Sequence, residues 1–423
     1  MRIIPSVKVR SLILAAAFSA GLGFGTHASA QTYLIDLNSK MVTALDTLGS
    51  GRNIPEDIND AGQVTGYFFP DPRMAQAFIT GPDGMGMRDL GSLGGTYAAA
   101  HGINNAGQVV GVSETDDVAR AFITGPNGMD MRDLGTYRGS SSASGINYAG
   151  QVVGSSLTPG NKTPHAFITG PDGIGVRDLG TLGGSSSYAN DINDTGQVAG
   201  SSLTAEGNKS HAFITGPNGM GMRDLGTLGG ESFASGINEA GQVTGNADIT
   251  GGGRHAFITG PDGMGMRDLG TLGGSHSEAS GINDAGQVVG FSFTAGGARL
   301  AFITGPNGAG MMDLNSLVDL PPGIILTAAT GINNSGQVIA IGGMGTIPAI
   351  PEPEISALFL AGLALVGFMA RRRKMGGKTY RFEIRNGMGA IPSRNTTAGQ
   401  AFLHWAADKR FVAIGVTPLV VTF

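Results

Sequence analysis

A phrase that returns every 44 to 46 residues constrains this chain more than anything else in it. Seven aromatic residues mark the period: Tyr33, Phe78, Phe122, Phe167, Phe213, Phe257 and Phe302. A second phrase, GINDAGQVVG at residues 281–290, recurs in altered form around Asn59, Asn104, Asn147, Asn193, Asn238, Asn283 and Asn333. Self-similarity of this length means that one supersecondary unit is copied and stacked, because a single unit cannot bury its own apolar face.

The phrase reads as a β-hairpin. Ile282 and Val288 supply strand character, Asn283 to Gly286 supply the turn, and Gly286 permits a positive φ. A whole unit, taken from His255, reads as four strands at residues 255–259, 266–269, 279–283 and 287–293. The tetrapeptide at residues 260–263 is a turn, and Gly273-Gly274-Ser275 opens a loop. Seven four-stranded units of about 45 residues predict an all-β, seven-bladed β-propeller, with an open β-solenoid as the alternative. The first and last units are only mildly degenerate, which favours a closed ring. Residues 32–37 align with the AFIT strand of later units. They are expected to complete the sheet whose other strands come from residues 311–341.

Composition agrees. Of 423 residues, 73 are glycine and only 14% are charged, while 41% are hydrophobic. That suits a glycine-rich β protein with a real core. The chain has no cysteine, so no disulfide or thiolate metal site forms. Residues 31–350 carry 14 Lys and Arg against 28 Asp and Glu, which argues against nucleic acid as a partner.

Both ends carry addresses. Residues 1–30 look like a signal peptide, with Arg2, Lys8 and Arg10 ahead of an apolar run and cleavage expected at Ala28-Ser29-Ala30 by signal peptidase. At the other end Pro351, Glu352 and Pro353 precede an apolar run at residues 355–370, then Arg371, Arg372, Arg373 and Lys374. Sixteen residues span about 24 Å as a helix, enough for a transmembrane helix with snorkelling basic residues. Residues 375–423 lack the repeat and form a C-terminal extension of different composition.

The pattern AFIT-GP(D/N)G-RDLG-TLGG…IN-x-x-GQVVG, with HAF itself at His165, His211 and His255, resembles the HAF-repeat family of extracellular bacterial proteins. The resemblance covers residues 31–346 and implies an exported, propeller-like repeat protein with no established catalytic residues. Residues 347–374 resemble the PEP-CTERM sorting signal. That resemblance implies a Gram-negative bacterium, processing by exosortase, an inner-membrane anchor at residues 355–370 during sorting, and delivery to the cell surface or outside the cell.

No catalytic set stands out. The Arg-Asp pairs from Arg88-Asp89 to Arg267-Asp268 recur in most units, so they are expected to bond between units or to backbone amides rather than to act as acid and base. The histidines of HAF are expected to pack or to hydrogen-bond at a sheet edge. No metal or cofactor is expected; calcium is the nearest candidate, and the Asn/Asp/Gly turns offer it too few carboxylates. Function is sought where units differ. Tyr97, Tyr137, Tyr188, Phe233, His276 and Glu278 sit in the variable stretches and are the candidates for holding a ligand, the aromatic rings by stacking on sugars. Expected partners beyond the processing enzymes are a polysaccharide or a surface protein. The reading is a non-enzymatic binding or structural component of the surface or exopolysaccharide matrix. The alternative is a polysaccharide hydrolase or lyase, for which His101, Tyr137, Arg138 and Tyr148 are the nearest residues that break the repeat, without a carboxylate pair beside them.

Overall fold

A computed structural model describes residues 31–48, 52–115, 118–136, 139–157, 163–206, 209–344 and three short strands near the C-terminus. The signal-peptide, sorting-signal and apolar-helix expectations, with Ala28, Ala30, Pro351 to Pro353 and Arg371 to Arg373, fall outside these residues. Among the described residues there is no α-helix, and no helix long and apolar enough to cross a membrane.

The strands follow in chain order. β1 (Gln31–Asp36) and β2 (Val42–Ala44) come first. The next sheet holds β3 (Asn53–Ile58), β4 (Val64–Asp71), β5 (Met74–Ile79) and β6 (Arg88–Gly91). It is followed by β7 (Ala98–Ile103), β8 (Val109–Thr115), β9 (Val118–Ile123) and β10 (Arg132–Asp133). Then come β11 (Ser141–Ile146), β12 (Val152–Leu157), β13 (Pro164–Thr169) and β14 (Val176–Gly180). β15 (Gly183–Ile192), β16 (Val198–Thr204), β17 (Ser210–Gly216) and β18 (Met220–Asp224) make another. β19 (Gly229–Ile237), β20 (Val243–Ile249), β21 (Arg254–Ile258) and β22 (Arg267–Asp268) follow, then β23 (Gly273–Ile282), β24 (Val288–Thr294), β25 (Arg299–Gly305) and β26 (Ala309–Asp313). These last two sheets are joined by one parallel bridge, Arg254 to His276. β27 (Ile324–Ile332) and β28 (Gln337–Met344) pair with β1 and β2 in the order β2-β1-β28-β27. The short strands β29 (Glu383–Asn386), β30 (Gly389–Ala390) and β31 (Val420–Thr422) belong to a separate unit that begins at Thr346.

The clasp expected of residues 32–37 is present. β1 runs antiparallel to β28 from Gln31 opposite Gly342 to Asp36 opposite Gln337. Its other partners are β2 and, through β28, β27; the strand at Met311 belongs instead to the preceding sheet. The four-strand unit drawn from His255 is also out of phase. β21 and β22 close one sheet, while β23 and β24 open the next. Each sheet therefore starts with the strand that precedes the Asn turn. Gly273-Gly274-Ser275, expected as loop, is the start of the ten-residue β23. A glycine pair reads as a breaker in sequence, yet Gly273 pairs with Thr294 at the end of β24, and the register shifts between Gly273 and Ser277.

The turn chemistry is as the residues dictate. At Pro261–Gly263 a single 3-10 turn places Asp262 at φ 52° and Gly263 at φ 68°, and the same geometry recurs at Asp83, Asn127, Asp172, Asn218 and Asn307. Asp and Asn tolerate this left-handed region better than other side chains.

The sheets pack face to face. Phe78, Phe122, Phe167, Phe213, Phe257 and Phe302 are all essentially fully buried. Each sits in an apolar cluster between two neighbouring sheets: Phe122 meets Ala77, Ile79 and Ala100, and Phe213 meets Val153, Ile168 and Ala189. Phe78 packs with Leu34, Leu45 and Ile339, so the clasp sheet and the β3 sheet share a cluster like any other pair.

The buried Asn of each hairpin turn ties the sheets into a cycle. Its Oδ1 accepts from the amide of the Gln four residues on, and its Nδ2 donates to that Gln side chain, as Asn238 does with Gln242. The same Nδ2 also donates to the Asn carbonyl of the next sheet. The chain of bonds runs Asn59 to Asn104, Asn147, Asn193, Asn238, Asn283 and Asn333. Asn333 returns to Asn59 at 2.9 Å. An open stack would leave the first and last Asn without this exchange.

Candidate functional site

The first strand of every sheet, β3, β7, β11, β15, β19, β23 and β27, lies beside its counterparts in the two neighbouring sheets. The Asn turn fixes the register of each, so residues counted back from the Asn form rings. Most rings are monotonous. Three are not.

Two residues before the Asn, five sheets carry Gly, but β3 carries Asp57 and β15 carries Asp191. Each carboxylate accepts from the amide of its own following residue and from an amide of the next inner strand. Asp57 takes Ile58 N at 2.8 Å and Ile103 N at 2.9 Å, and Asp191 takes Ile192 N at 2.8 Å and Ile237 N at 2.9 Å. Burial nevertheless pushes both up, Asp57 to about 6 and Asp191 to about 7, against the pull of those amides.

Three residues before the Asn stand Glu56, His101, Ser144, Asn190, Ser235, Ser280 and Thr330. The strands bulge here, between Pro55 and Asp57 in β3 and between Ala100 and Gly102 in β7. The longer side chains reach sideways to the next inner strand. His101 Nδ1 bonds the Ala143 carbonyl at 2.9 Å, and Asn190 Nδ2 donates to the Ala234 carbonyl at 2.6 Å. A carbonyl only accepts, so Nδ1 of His101 carries the proton and Nε2 keeps a lone pair. Burial pushes the His101 pKa down, so the ring is the neutral tautomer.

Glu56 is the exception among these longer side chains. No donor among the described residues bonds its carboxyl. Burial first, and the neighbouring Asp57 second, push it up to about 7. Solvent-sized contact with Glu56 survives, yet protein surrounds it closely. Its charge extends to Tyr67 and Tyr97, both raised first by burial and then by Glu56.

The candidates from the variable stretches gather at the end of the inner strands away from the Asn turns. Tyr188, Phe233 and Glu278 hold one ring position, five residues before the Asn, in three successive sheets. Tyr97 and His276 hold another, two residues further back. Tyr188 is 39% exposed, whereas Tyr97, Phe233, His276 and Glu278 are half-buried. Tyr137 and Arg138 lie outside the described residues.

Phe233, His276 and Glu278 lie on the two inner strands that form the seam between the β19 and β23 sheets. His276 Nε2 lies 2.9 Å from Glu278, and its ring is 5.8 Å from that of Phe291. Arg299 stacks on Phe291 at 3.8 Å, and Arg254 on Phe233 at 5.0 Å. Arg254 also holds Asp248 at 2.9 Å. Burial raises the Asp248 pKa, but Arg254 and the Glu231 amide outweigh it and leave the carboxyl below its ordinary range.

The repeated polar pairs behave as scaffold. Arg88, Arg132, Arg177, Arg223 and Arg267 each donate to the carbonyl of Asn127, Asp172, Asn218, Asp262 and Asn307 in the following sheet. The paired Asp caps the Gly two residues on, as Asp268 does for Gly270 at 2.7 Å. His165, His211 and His255 each bond such an Asp at 2.8–2.9 Å. Among the described residues no group of three or more His, Asp or Glu is placed to hold a metal ion.

Sequence reasoning named His101, Tyr137, Arg138 and Tyr148 as breakers of the repeat, without a carboxylate pair beside them. Glu56 stands in the ring of His101, and Asp57 and Asp191 stand in the ring next to it. The signal was available: Asp twice at a position otherwise occupied by Gly. Tyr148 lies elsewhere. It is 71% exposed at the Asn turns, where it interrupts a second ring of turn contacts that includes Asp194 to Glu239 and Asn334 to Asp60.

A PEP-CTERM protein-sorting motif matches residues 349–374. It marks the chain as exported, processed by exosortase and held at the membrane during sorting. No curated protein matches the chain. Several solved structures are similar in fold. The β-propeller domain of the Trilobed protease from Pyrococcus furiosus has 9% identity and a TM-score of 0.47, over 70% of this chain and 92% of that one. TolB from Acinetobacter baumannii has 12% identity and a TM-score of 0.42, over 58% of this chain and 61% of that one. An oligogalacturonate lyase from Vibrio parahaemolyticus has 9% identity and a TM-score of 0.45, over 75% of this chain and 98% of that one.

Proposed function

We propose that residues 31–346 form a seven-bladed β-propeller of the HAF-repeat type. It is delivered through exosortase and serves as a non-catalytic binding component of the cell surface or exopolysaccharide matrix. One observation carries the reading. The scaffold repeats from sheet to sheet, and Tyr97, Tyr188, Phe233, His276 and Glu278 depart from the repeat at one end of the inner strands. A ligand that spans several sheets would meet all of them. Aromatic faces with polar neighbours suit sugar rings, which present apolar faces and hydroxyl edges.

A second reading has an observation of its own. Glu56, held near pH 7 by burial, has the property required of a general acid, and Asp57 and Asp191 are close along the axis. This supports a polysaccharide hydrolase or lyase.

One experiment separates them. The 31–346 segment contains every strand of the closed ring and can be screened on a glycan array beside an assay for released sugar ends. Retention of a glycan without release fits the binding reading. Release that disappears in Glu56→Gln establishes the enzyme and ends the first reading.

A further inference from the structure

Two sets of methionine follow the 3-10 turns, one facing water and one facing the core. Six sheets carry such a turn, Pro-Asp-Gly or Pro-Asn-Gly, and the residue straight after it is exposed. Met85 and Met129 are 54% exposed there, Met220 and Met264 64%, and Ile174 71%. Ala309 fills the sixth place. Large apolar side chains on a surface are ordinarily scattered singly, whereas these repeat at one structural position.

The scaffold does not ask for those side chains. Backbone bonds hold the turn: Gly81 N donates to the Met85 carbonyl at 2.6 Å, and Gly170 N donates to the Ile174 carbonyl at 2.8 Å. In the sixth sheet Gly305 pairs with Ala309 in the same way. The space around the next residue is open, since a Cβ on Gly86, Gly221 or Gly265 would meet nothing within 4 Å.

Two residues beyond the exposed position the surroundings reverse. Met87 is buried with Leu34, Leu45 and Phe78. Met131, Met222, Met266 and Met311 are partly buried, packed against the clusters of Phe122, Phe213, Phe257 and Phe302 respectively. An oxygen on one of these sulfurs would place a polar group in the apolar contact between two sheets.

The two sets go together. Four inner methionines follow Met85, Met129, Met220 and Met264, and Met311 stands beside Met312, which is 40% exposed. In the β11–β14 sheet the inner residue is Val176, and the exposed one is Ile174. A merely apolar rim would not follow sulfur in this way. Met41 and Met344 of the clasp sheet are exposed as well, without an inner methionine after a turn of this kind.

We propose that Met85, Met129, Met220 and Met264 form a sacrificial ring that consumes hypohalous acid and thereby spares the inner methionines. The chain has no cysteine, so methionine carries all of its sulfur. Its sorting motif marks it for export, away from the reducing cytosol. The step is an oxygen transfer from hypochlorous acid. The thioether sulfur gives up two electrons and the chlorine gains them. The O–Cl bond breaks, an S–O bond forms, chloride and a proton leave, and methionine becomes its sulfoxide. Protection works by competition for a limited oxidant, so the two sulfurs need not touch. A sulfoxide at the exposed position faces water and leaves the backbone bond of the turn in place. This role is independent of any bound ligand.

The test treats the full chain with less than one equivalent of hypochlorous acid per exposed methionine and maps sulfoxide by peptide mass spectrometry. Met85, Met129, Met220 and Met264 should carry at least ~fivefold more sulfoxide than Met87, Met131, Met222 and Met266, with the melting curve unchanged. In a variant combining Met85→Leu, Met129→Leu, Met220→Leu and Met264→Leu, the same dose should raise inner sulfoxide at least ~twofold and lower the melting temperature. Comparable sulfoxide in the two sets overturns the proposal, as does a melting curve that falls while only the exposed set is oxidised. Inner methionines that stay as reduced in the variant as in the wild type overturn it too. Ile174 shows that the position accepts a branched apolar side chain. If the variant nevertheless does not fold, the partition of sulfoxide in the wild-type chain decides.

Discussion

Asn333 donates to the carbonyl of Asn59 across 274 residues of sequence, at the same 2.9–3.3 Å that links every other pair of successive turn asparagines. A local turn residue thus also joins the two ends of the repeat. Asn238→Ala should lower stability by about 2–4 kcal/mol, because it strands the buried Gln242 amide and Gln242 Oε1 and leaves the Asn283 carbonyl with Gly286 N alone. Urea unfolding measures this; a loss below about 0.5 kcal/mol would show that water replaces the side chain.

The clasp makes closure depend on one strand. Leu34 and Ile35 are buried, and Thr32 bonds Asn53 of the neighbouring sheet at 2.7 Å. Deleting residues 31–38 should sharply lower the melting temperature and expose the β28 edge. An unchanged melting curve would mean that the ring holds without it.

Gly286 lies at φ 70°, and a Cβ there would stand 2.9 Å from backbone atoms of Asn307. Gly286→Val should cost at least about 1–3 kcal/mol from the backbone conformation alone. Gly265, also at positive φ but with open space around it, should lose less on the same replacement. Equal losses at the two positions would show that the close approach to Asn307 does not matter.

The axial carboxyls give stability a defined pH slope. Burial raises Glu56 and Asp191 to about 7 in the folded chain, above the 4.5 and 3.8 of free side chains. The folded state then binds more protons than the unfolded state between those values. Stability is greatest below about pH 4 as far as these groups act, and falls as pH rises toward 7. Glu56→Gln should flatten that slope and raise stability at pH 8 by about 1–3 kcal/mol. Chemical unfolding at pH 5 and pH 8 checks the sign, and a wild-type slope retained in the variant would place the titration elsewhere.

Periodicity made much of this architecture readable. Strand pairs flanking Asn283-Gly286, the turn at Asp262 and the clasp at residues 32–37 follow from local residue chemistry and from counting the repeat. Phase did not follow. Nothing local to Arg267 or Gly273 tells whether β22 and β23 share a sheet, because only closure onto β1 settles which strands lie innermost. The axial rings were hidden for a related reason. Glu56, His101 and Thr330 come from three different units, and consensus reading discards the differences between units. Of their strands, β27 comes beside β3 only once the cycle closes. The seam residues Phe233, His276 and Glu278 were legible as variation, while their stacking partners Arg254, Arg299 and Phe291 required the register of the sheets.

The pairing of Gln31 with Gly342 puts the first residue of the first strand beside the outgoing end of the last. Mechanical load applied between the two ends would open that ladder one rung at a time, starting at this pair, the weakest direction in which a strand pair can be pulled. A molecule held by its C-terminal side alone carries no such load, since the pull enters β28 while β1 hangs free of tension. A ring held only from its C-terminal side would therefore not be unzipped by the pull that holds it.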